Sequence, residues 1–186
     1  INKYGADALR FALVREVAGS GQDIRLDYDR KTDTSNTVES SRNFANKLWN
    51  ATRFALPYIN PDEDKNSDLD QNKLQLADKW ILSRLARANL ETSHRYESYN
   101  LGEAAKGLYE FAWNDFCDWY LEIIKRRINP TTGLSSDELK DQEIAKLILR
   151  KVLTELLIML HPLMPHLTEE LWHVITQSSK KDFLAL

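Results

Sequence analysis

Apolar residues recur along most of this chain at helical spacing, and a few polar runs divide the pattern into segments. Residues 4–17, YGADALRFALVREV, read as a helix whose apolar part is Leu9, Phe11, Ala12 and Leu13, and the following AGSG stops it. QDIRLDY then alternates polar positions with Ile24, Leu26 and Tyr28, the period-two pattern of a short strand. The polar run DRKTDTSNTVESS, residues 29–41, reads as a loop whose closing Ser or Thr residues cap the next helix. That helix carries RNFANKLWNATRF, residues 42–54, and places Phe44, Leu48, Ala51 and Ala55 on one side at i, i+4, i+7 and i+11.

PYINPDEDKNSDLDQNK, from Pro57, holds two prolines and four aspartates and almost nothing to bury, so it reads as a connection. A helix over about 76–97 turns Ala77, Ile81, Leu85 and Ala88 inward, with Arg84, Arg87, Glu91 and His94 along the flank. A second long helix follows over residues 100–128. Its stripe is Leu101, Ala105, Leu108, Ala112, Phe116, Trp119 and Ile123, widened by Tyr109, Trp113, Tyr120 and Ile124. On that phase Trp119 belongs to the core, and truncating it to Ala should cost about 3–5 kcal/mol. After NPTTGLSS, Ser135 and Glu138 form a capping box for a helix running to about His161. Residues 147–160 are apolar nearly all round, so this helix is expected at the centre. Pro162 and Pro165 end it, and Thr168 with Glu169 and Glu170 opens a shorter helix. The expected architecture is mainly α: a helical bundle preceded by a small helix-strand unit.

Composition narrows the possibilities. The 186 residues suit one domain of usual size, and 42% apolar with 28% charged residues is a globular balance, which excludes a disordered or fibrous chain. The 25 Lys and Arg against 28 Asp and Glu leave a net charge of −3, so the whole surface is not built to coat nucleic acid, although a local basic patch remains open. The single cysteine, Cys117, lies in an aromatic-rich run and is expected to be a buried thiol in a reducing compartment. No apolar run approaches the ~20 residues that span a bilayer, so an intracellular, cytoplasmic protein without membrane contact is expected. The chain opens on Ile1 and enters a helix almost at once, which suggests a piece of something longer.

The side of residues 42–54 opposite the apolar stripe is unusual. Asn43, Asn46, Lys47, Asn50, Arg53 and Phe54 fall on one line, although Asn costs roughly 0.5 kcal/mol relative to Ala inside a helix. Asn can pair in bidentate fashion with adenine, Lys and Arg attract phosphates, and an aromatic ring can stack an unpaired base. A structural explanation, with the asparagines bonded to neighbouring loops and Phe54 closing the core, weighs equally from spacing alone. A metal centre is the sharpest rival, because Glu91-x-x-His94 and Glu170-x-x-His173 match the Glu-x-x-His unit of di-iron bundles. Both pairs lie beside the apolar stripe rather than in it, so a helical Arg87–Glu91 pair and a solvated His173 are the better account. His161 and His166 at the double-proline turn, and the line Asp115, Asp118 and Glu122 near Lys125, Arg126 and Arg127, fit ordinary structural roles as well as any chemical one. With no Gly-rich phosphate loop, nucleophile elbow or paired cysteines, neither a catalytic nor a metal site is assigned.

Several segments, in order, carry a resemblance that covers most of the chain: KYGADALRFAL, GQDIRLD, RNFANKLWNATRF, LADKWILSRL, LYEFAWNDFCDWYLE and HPLMPHLTEELW. Together they resemble the valyl-tRNA synthetases, within the class I aminoacyl-tRNA synthetases, in the part that follows the KMSKS loop of the ATP site. YGADALR and the P-x-x-P-x-x-x-E-E-L-W pattern are shared with the isoleucyl and leucyl enzymes, whereas RNFANKLWNA and FCDWYLE point to the valyl branch. The resemblance implies a stem-contact segment at residues 1–34, an anticodon-binding α-helical bundle at 35–186, and Asn43, Asn46, Lys47, Asn50, Arg53 and Phe54 facing the anticodon loop of tRNA(Val). Arg30 and Lys31 are not carried over, because the loop KTDTSNTVESS is longer than the family's usual connection. The full-length parent would join valine to its tRNA with ATP and Mg, as a cytoplasmic monomer. This piece, lacking the catalytic domain, would bind no cofactor and activate no amino acid alone. The alternatives are an isoleucyl-type anticodon domain, a metal-carrying bundle and a protein-interaction scaffold.

Overall fold

In a computed structural model, residues 2–16, 24, 26–60, 71–130, 133–178 and 182–184 are described; the AGSG stop and positions 61–70 of the acidic connection lie outside them. The elements are α1 (Ala6–Arg15), β1 (Tyr28–Asp29), β2 (Thr34–Ser35), α2 (Asn36–Ala55), α3 (Leu76–Glu97), α4 (Leu101–Glu110), a π-helical segment (Phe111–Tyr120), α5 (Leu121–Ile128), α6 (Ser136–Leu160) and α7 (Pro165–Thr176).

The run read as a loop is not one. Tyr28 pairs with Ser35 and Asp29 with Thr34 in an antiparallel hairpin, turned through Asp33 at φ 52°. Of the strand expected over 22–28, only Tyr28 is in it among the described residues, and positions 22, 23 and 25 lie outside them. Ser35 ends the hairpin and starts α2, six residues ahead of the expected stretch. Its hydroxyl accepts from the Val38 amide at 3.3 Å, while the Asp27 carboxylate accepts from the Asn36 and Thr37 amides at 2.8 and 3.0 Å. Three free N–H groups of the first turn are thereby satisfied. Hydrogen bonds from Thr37, Ser35 and Asn36 hold the Asp27 carboxyl well below the usual carboxylate range.

The core forms as the pattern requires. Phe44, Leu48, Ala51 and Ala55 of α2 are buried together with Ile81 and Leu85 of α3 and with most of α6 from Ala145 to Leu160. Helix α2 and the α4–α5 run point the same way, since Phe44 meets Tyr109 and Lys125 lies over Phe54. Helices α3 and α6 point the other way, with Arg84 on Asp115 and the Tyr96 hydroxyl donating to the Met159 carbonyl at 2.7 Å. Helix α1 joins the same core through Phe11, whose ring centroid lies 5.1 Å from that of Phe44. Its Asp7 accepts from the Leu167 amide at 2.6 Å and so caps the first turn of α7 from another element.

Two further sequence expectations need correction. Helix α7 begins at Pro165, not at Thr168: proline suits the first helical position, and Thr168 is buried inside that turn with its hydroxyl donating to the Met164 carbonyl at 3.0 Å. The long helix also loses its expected phase. Between residues 111 and 120 the hydrogen bonding is i→i+5, and buried residues recur at that interval, Phe111 with Phe116 and Leu121, and Ala112 with Cys117. More residues per turn rotate the later positions out of a 3.6-residue stripe. Trp119 is therefore 63% exposed and Ile123 47% exposed, while Tyr120 is sealed in the core.

One charged cluster ties three helix ends together. The fully buried Asp78 accepts from Arg127 Nη1 at 2.8 Å and Nη2 at 3.0 Å, and from the Gln75 amide at 3.0 Å in the capping box of α3. Arg127 also donates to Asp141 of α6, Nε at 2.9 Å and Nη2 at 2.8 Å. Burial works against the charge on Arg127, but the hydrogen bonds to Asp78 and Asp141 outweigh it and raise its pKa. Removing the guanidinium leaves a carboxylate without its counter-charge in the interior, so Arg127→Ala should destabilise the bundle by about 3–5 kcal/mol in denaturant melts. Trp119→Ala should cost less than about 1 kcal/mol, as for an exposed site. Burial pushes the Cys117 thiol up to about 12. Iodoacetamide at pH 8.5 should therefore spare the folded protein and label Cys117 once denaturant unfolds it.

Candidate nucleic-acid interface

Helix α2 positions the candidate residues because its buried stripe against the rest of the bundle is continuous from Val38 to Ala55, which fixes what faces outward. Asn43, Asn46, Asn50 and Arg53 are exposed, and their side chains make no hydrogen bond or ion pair among the described residues. Their amides are thus not spent on neighbouring loops. Lys47 and Phe54 occupy the edge of this face, turned toward the parallel helix run. The Lys47 ammonium pairs with Asp118 and lies 4.1 Å from the Trp113 ring centroid. Phe54 is half-buried, its ring 5.7 Å from Tyr58, with the Lys125 ammonium 5.7 Å from its own centroid. The six residues therefore divide into four unpartnered ones and two that are also bonded into the bundle.

Two further residues complete the face and were missed in the sequence reading. Arg42 is exposed with no partner among the described residues, and Trp49 is 43% exposed. The burial of Ser41 and Thr52 turns the stripe, so the middle of the outward face runs through Arg42, Asn46, Trp49 and Arg53. That i, i+4, i+7, i+11 spacing was present in the sequence, but periodicity assigned Trp49 to neither the stripe nor the outward line, and the tertiary packing shows which side is covered. Two uncompensated arginines make the strip locally positive on a chain of net charge −3.

The other constellations are occupied structurally. Glu91 bridges Arg87 at 2.7 Å and Arg95 at 3.5 Å, and the Arg87 hydrogen bond holds its carboxyl below the usual range. His173 contacts Glu169 at 3.1 Å, one position before the glutamate of the sequence motif, and His161 Nδ1 lies 2.8 Å from the Thr168 hydroxyl. His166 is exposed. Asp115, Asp118 and Glu122 pair with Arg84, Lys47 and Lys125. Among the described residues no three His, Cys, Asp or Glu side chains converge as a metal site would require, and no helix is long and apolar enough to cross a membrane.

Comparison with known proteins gives a consistent result. Residues 78–186 match the family model described as the anticodon-binding domain of tRNA ligase. Over its full length the chain is 71% identical to a valine–tRNA ligase of Prochlorococcus marinus (strain NATL2A), 68% to one of Parasynechococcus marenigrum (strain WH8102), and 52% to one of Thermosynechococcus vestitus. It spans about a fifth, 20%, of the length of each of these curated relatives.

Proposed function

The chain belongs to the anticodon-binding domain family of tRNA ligases, and from that premise we propose that it recognises the anticodon loop of tRNA(Val) for a parent valine–tRNA ligase. The observation that carries this reading is the row of exposed, unpartnered amides and guanidinium along α2, Asn43, Asn46, Asn50 and Arg53. Amides left free on a helix surface offer donor and acceptor together to base edges, and Arg53 offers a fork to phosphate. The half-buried Phe54 ring would add a stacking contact for a base through whatever part of its face the loop can reach. Lys47 adds positive charge at the margin, tempered by Asp118.

The parent's reaction, attachment of valine to tRNA with ATP and Mg, takes place outside this chain, whose share is binding and orientation. Holding the anticodon fixes where the distant acceptor end lies, so binding energy is spent on positioning rather than on bond making. Residues 1–34 would contact the inner stem and residues 35–186 the loop. The two parts differ in role more than in core, because Phe11 packs on Phe44 and Asp7 caps α7. A cytoplasmic, monomeric parent that meets tRNA and its own catalytic domain fits this reading, and the names of the relatives favour the valyl over the isoleucyl branch.

The reading is tested by titrating the chain with a valine-tRNA anticodon hairpin and with a hairpin whose central adenine is replaced. Asn50→Ala should erase the preference for adenine, and Arg53→Ala should weaken both hairpins by roughly 5- to 100-fold. In the full-length parent both changes should lower aminoacylation and leave valine-dependent pyrophosphate exchange intact; equal loss of the two activities overturns the assignment. Asp118→Asn removes a negative charge and frees Lys47, so it should tighten hairpin binding roughly two- to five-fold at low salt, with the gain fading as salt rises.

A further inference from the structure

We propose that Trp49 is a stacking residue for an unpaired base of the bound loop, with Arg42 holding phosphate one end of the strip beyond it; this rests on the anticodon-reading role of α2. Three observations carry it. Trp49 is the one exposed large apolar residue of α2 and has no ring or cation partner among the described residues. Trp80, Trp113 and Trp172, in contrast, are packed against the core. Its neighbours one turn away on the surface are Asn46 and Arg53, with Asn50 beside it and Arg42 two turns back, all exposed.

Trp119 is an informative contrast. It is more exposed, at 63%, yet its surface neighbours one turn away are Asp115 and Glu122, with Asp118 beside it. Those carboxylates are each paired with a cation, of Arg84, Lys125 and Lys47, so these cations are not left free for phosphate. Around Trp49, in contrast, a phosphate chain meets amides and guanidinium groups with no ion-pair partner among the described residues. The dimensions also suit a loop: the eleven helical steps from Arg42 to Arg53 rise about 16 Å, the length of roughly five stacked nucleotides at 3.4 Å each. An exposed indole among donors and cations can hold single-stranded bases without reading their edges. Trp49 would then supply affinity and order, and the asparagines selectivity.

The test uses a valine-tRNA anticodon hairpin carrying 2-aminopurine at each unpaired loop position in turn, titrated against the 186-residue chain and its variants, each checked for an unchanged melting curve. Trp49→Ala should weaken binding roughly 5- to 100-fold, and at saturation it should lose the fluorescence quenching of one loop position. Trp49→Phe should restore most of both. Asn50→Ala should keep the quenching while losing base preference. If Trp49→Ala binds and quenches like the parent chain while Asn50→Ala or Arg53→Ala weakens the hairpin, the stacking role falls and the α2 reading stands. If none of the three variants changes binding, both fall.

Discussion

The bundle depends on a buried carboxylate that serves three helices at once. Asp78 closes the capping box of α3, receives two hydrogen bonds from Arg127 at the end of α5, and through that guanidinium is joined to Asp141 near the start of α6. Such a cluster is weak evidence for net stability, because desolvating the ions offsets much of their attraction. What it supplies is registry. A fork of five donors in one plane fits two carboxylates in one geometry only, so α3, α5 and α6 cannot slide along each other without stranding charge in the interior. Tyr120, whose hydroxyl lies 3.4 Å from Asp78 and whose pKa burial raises, closes the cluster from the core side.

From that fixed end the π-helical segment runs toward α2 and sets the candidate site. Its i→i+5 winding buries Phe111, Phe116 and Leu121, rolls Trp119 outward, and leaves Asp118 where it can hold Lys47. Lys47 is further held over Trp113, and Phe54 sits beneath Lys125, so α2 is pinned along one edge by two cation–aromatic contacts. The opposite edge stays free. A reading surface needs both properties: a backbone that does not move when RNA arrives, and side chains not already satisfied by protein.

Helix α1 extends the same logic to the other end of the molecule. Phe11 enters the core beside Phe44, and Asp7 reaches the Leu167 amide in the first turn of α7. Residues near the start of the chain and the α7 turn are thereby held against the helix that carries the strip, so a stem contact on one and a loop contact on the other would act on a single body.

Much of this was legible in the sequence because it rests on local rules. The helix lengths of α3 and α6, the Ser135–Glu138 capping box and the stripe Phe44, Leu48, Ala51, Ala55 follow from periodicity and capping chemistry, which the chain carries residue by residue. So did the row of asparagines on α2 and the family resemblance. Other features were decided only by packing. The hairpin inside a polar run depends on Asp27 and Ser35 meeting the first turn of α2, and the exposure of Trp119 depends on a change of helical winding that a fixed 3.6-residue period does not register. The division of the six candidate residues is of the same kind. A sequence places Lys47 and Asn50 on one face, but only the approach of a second helix determines that Lys47 finds Asp118 and Trp113 while Asn50, and the overlooked Trp49, are left facing water.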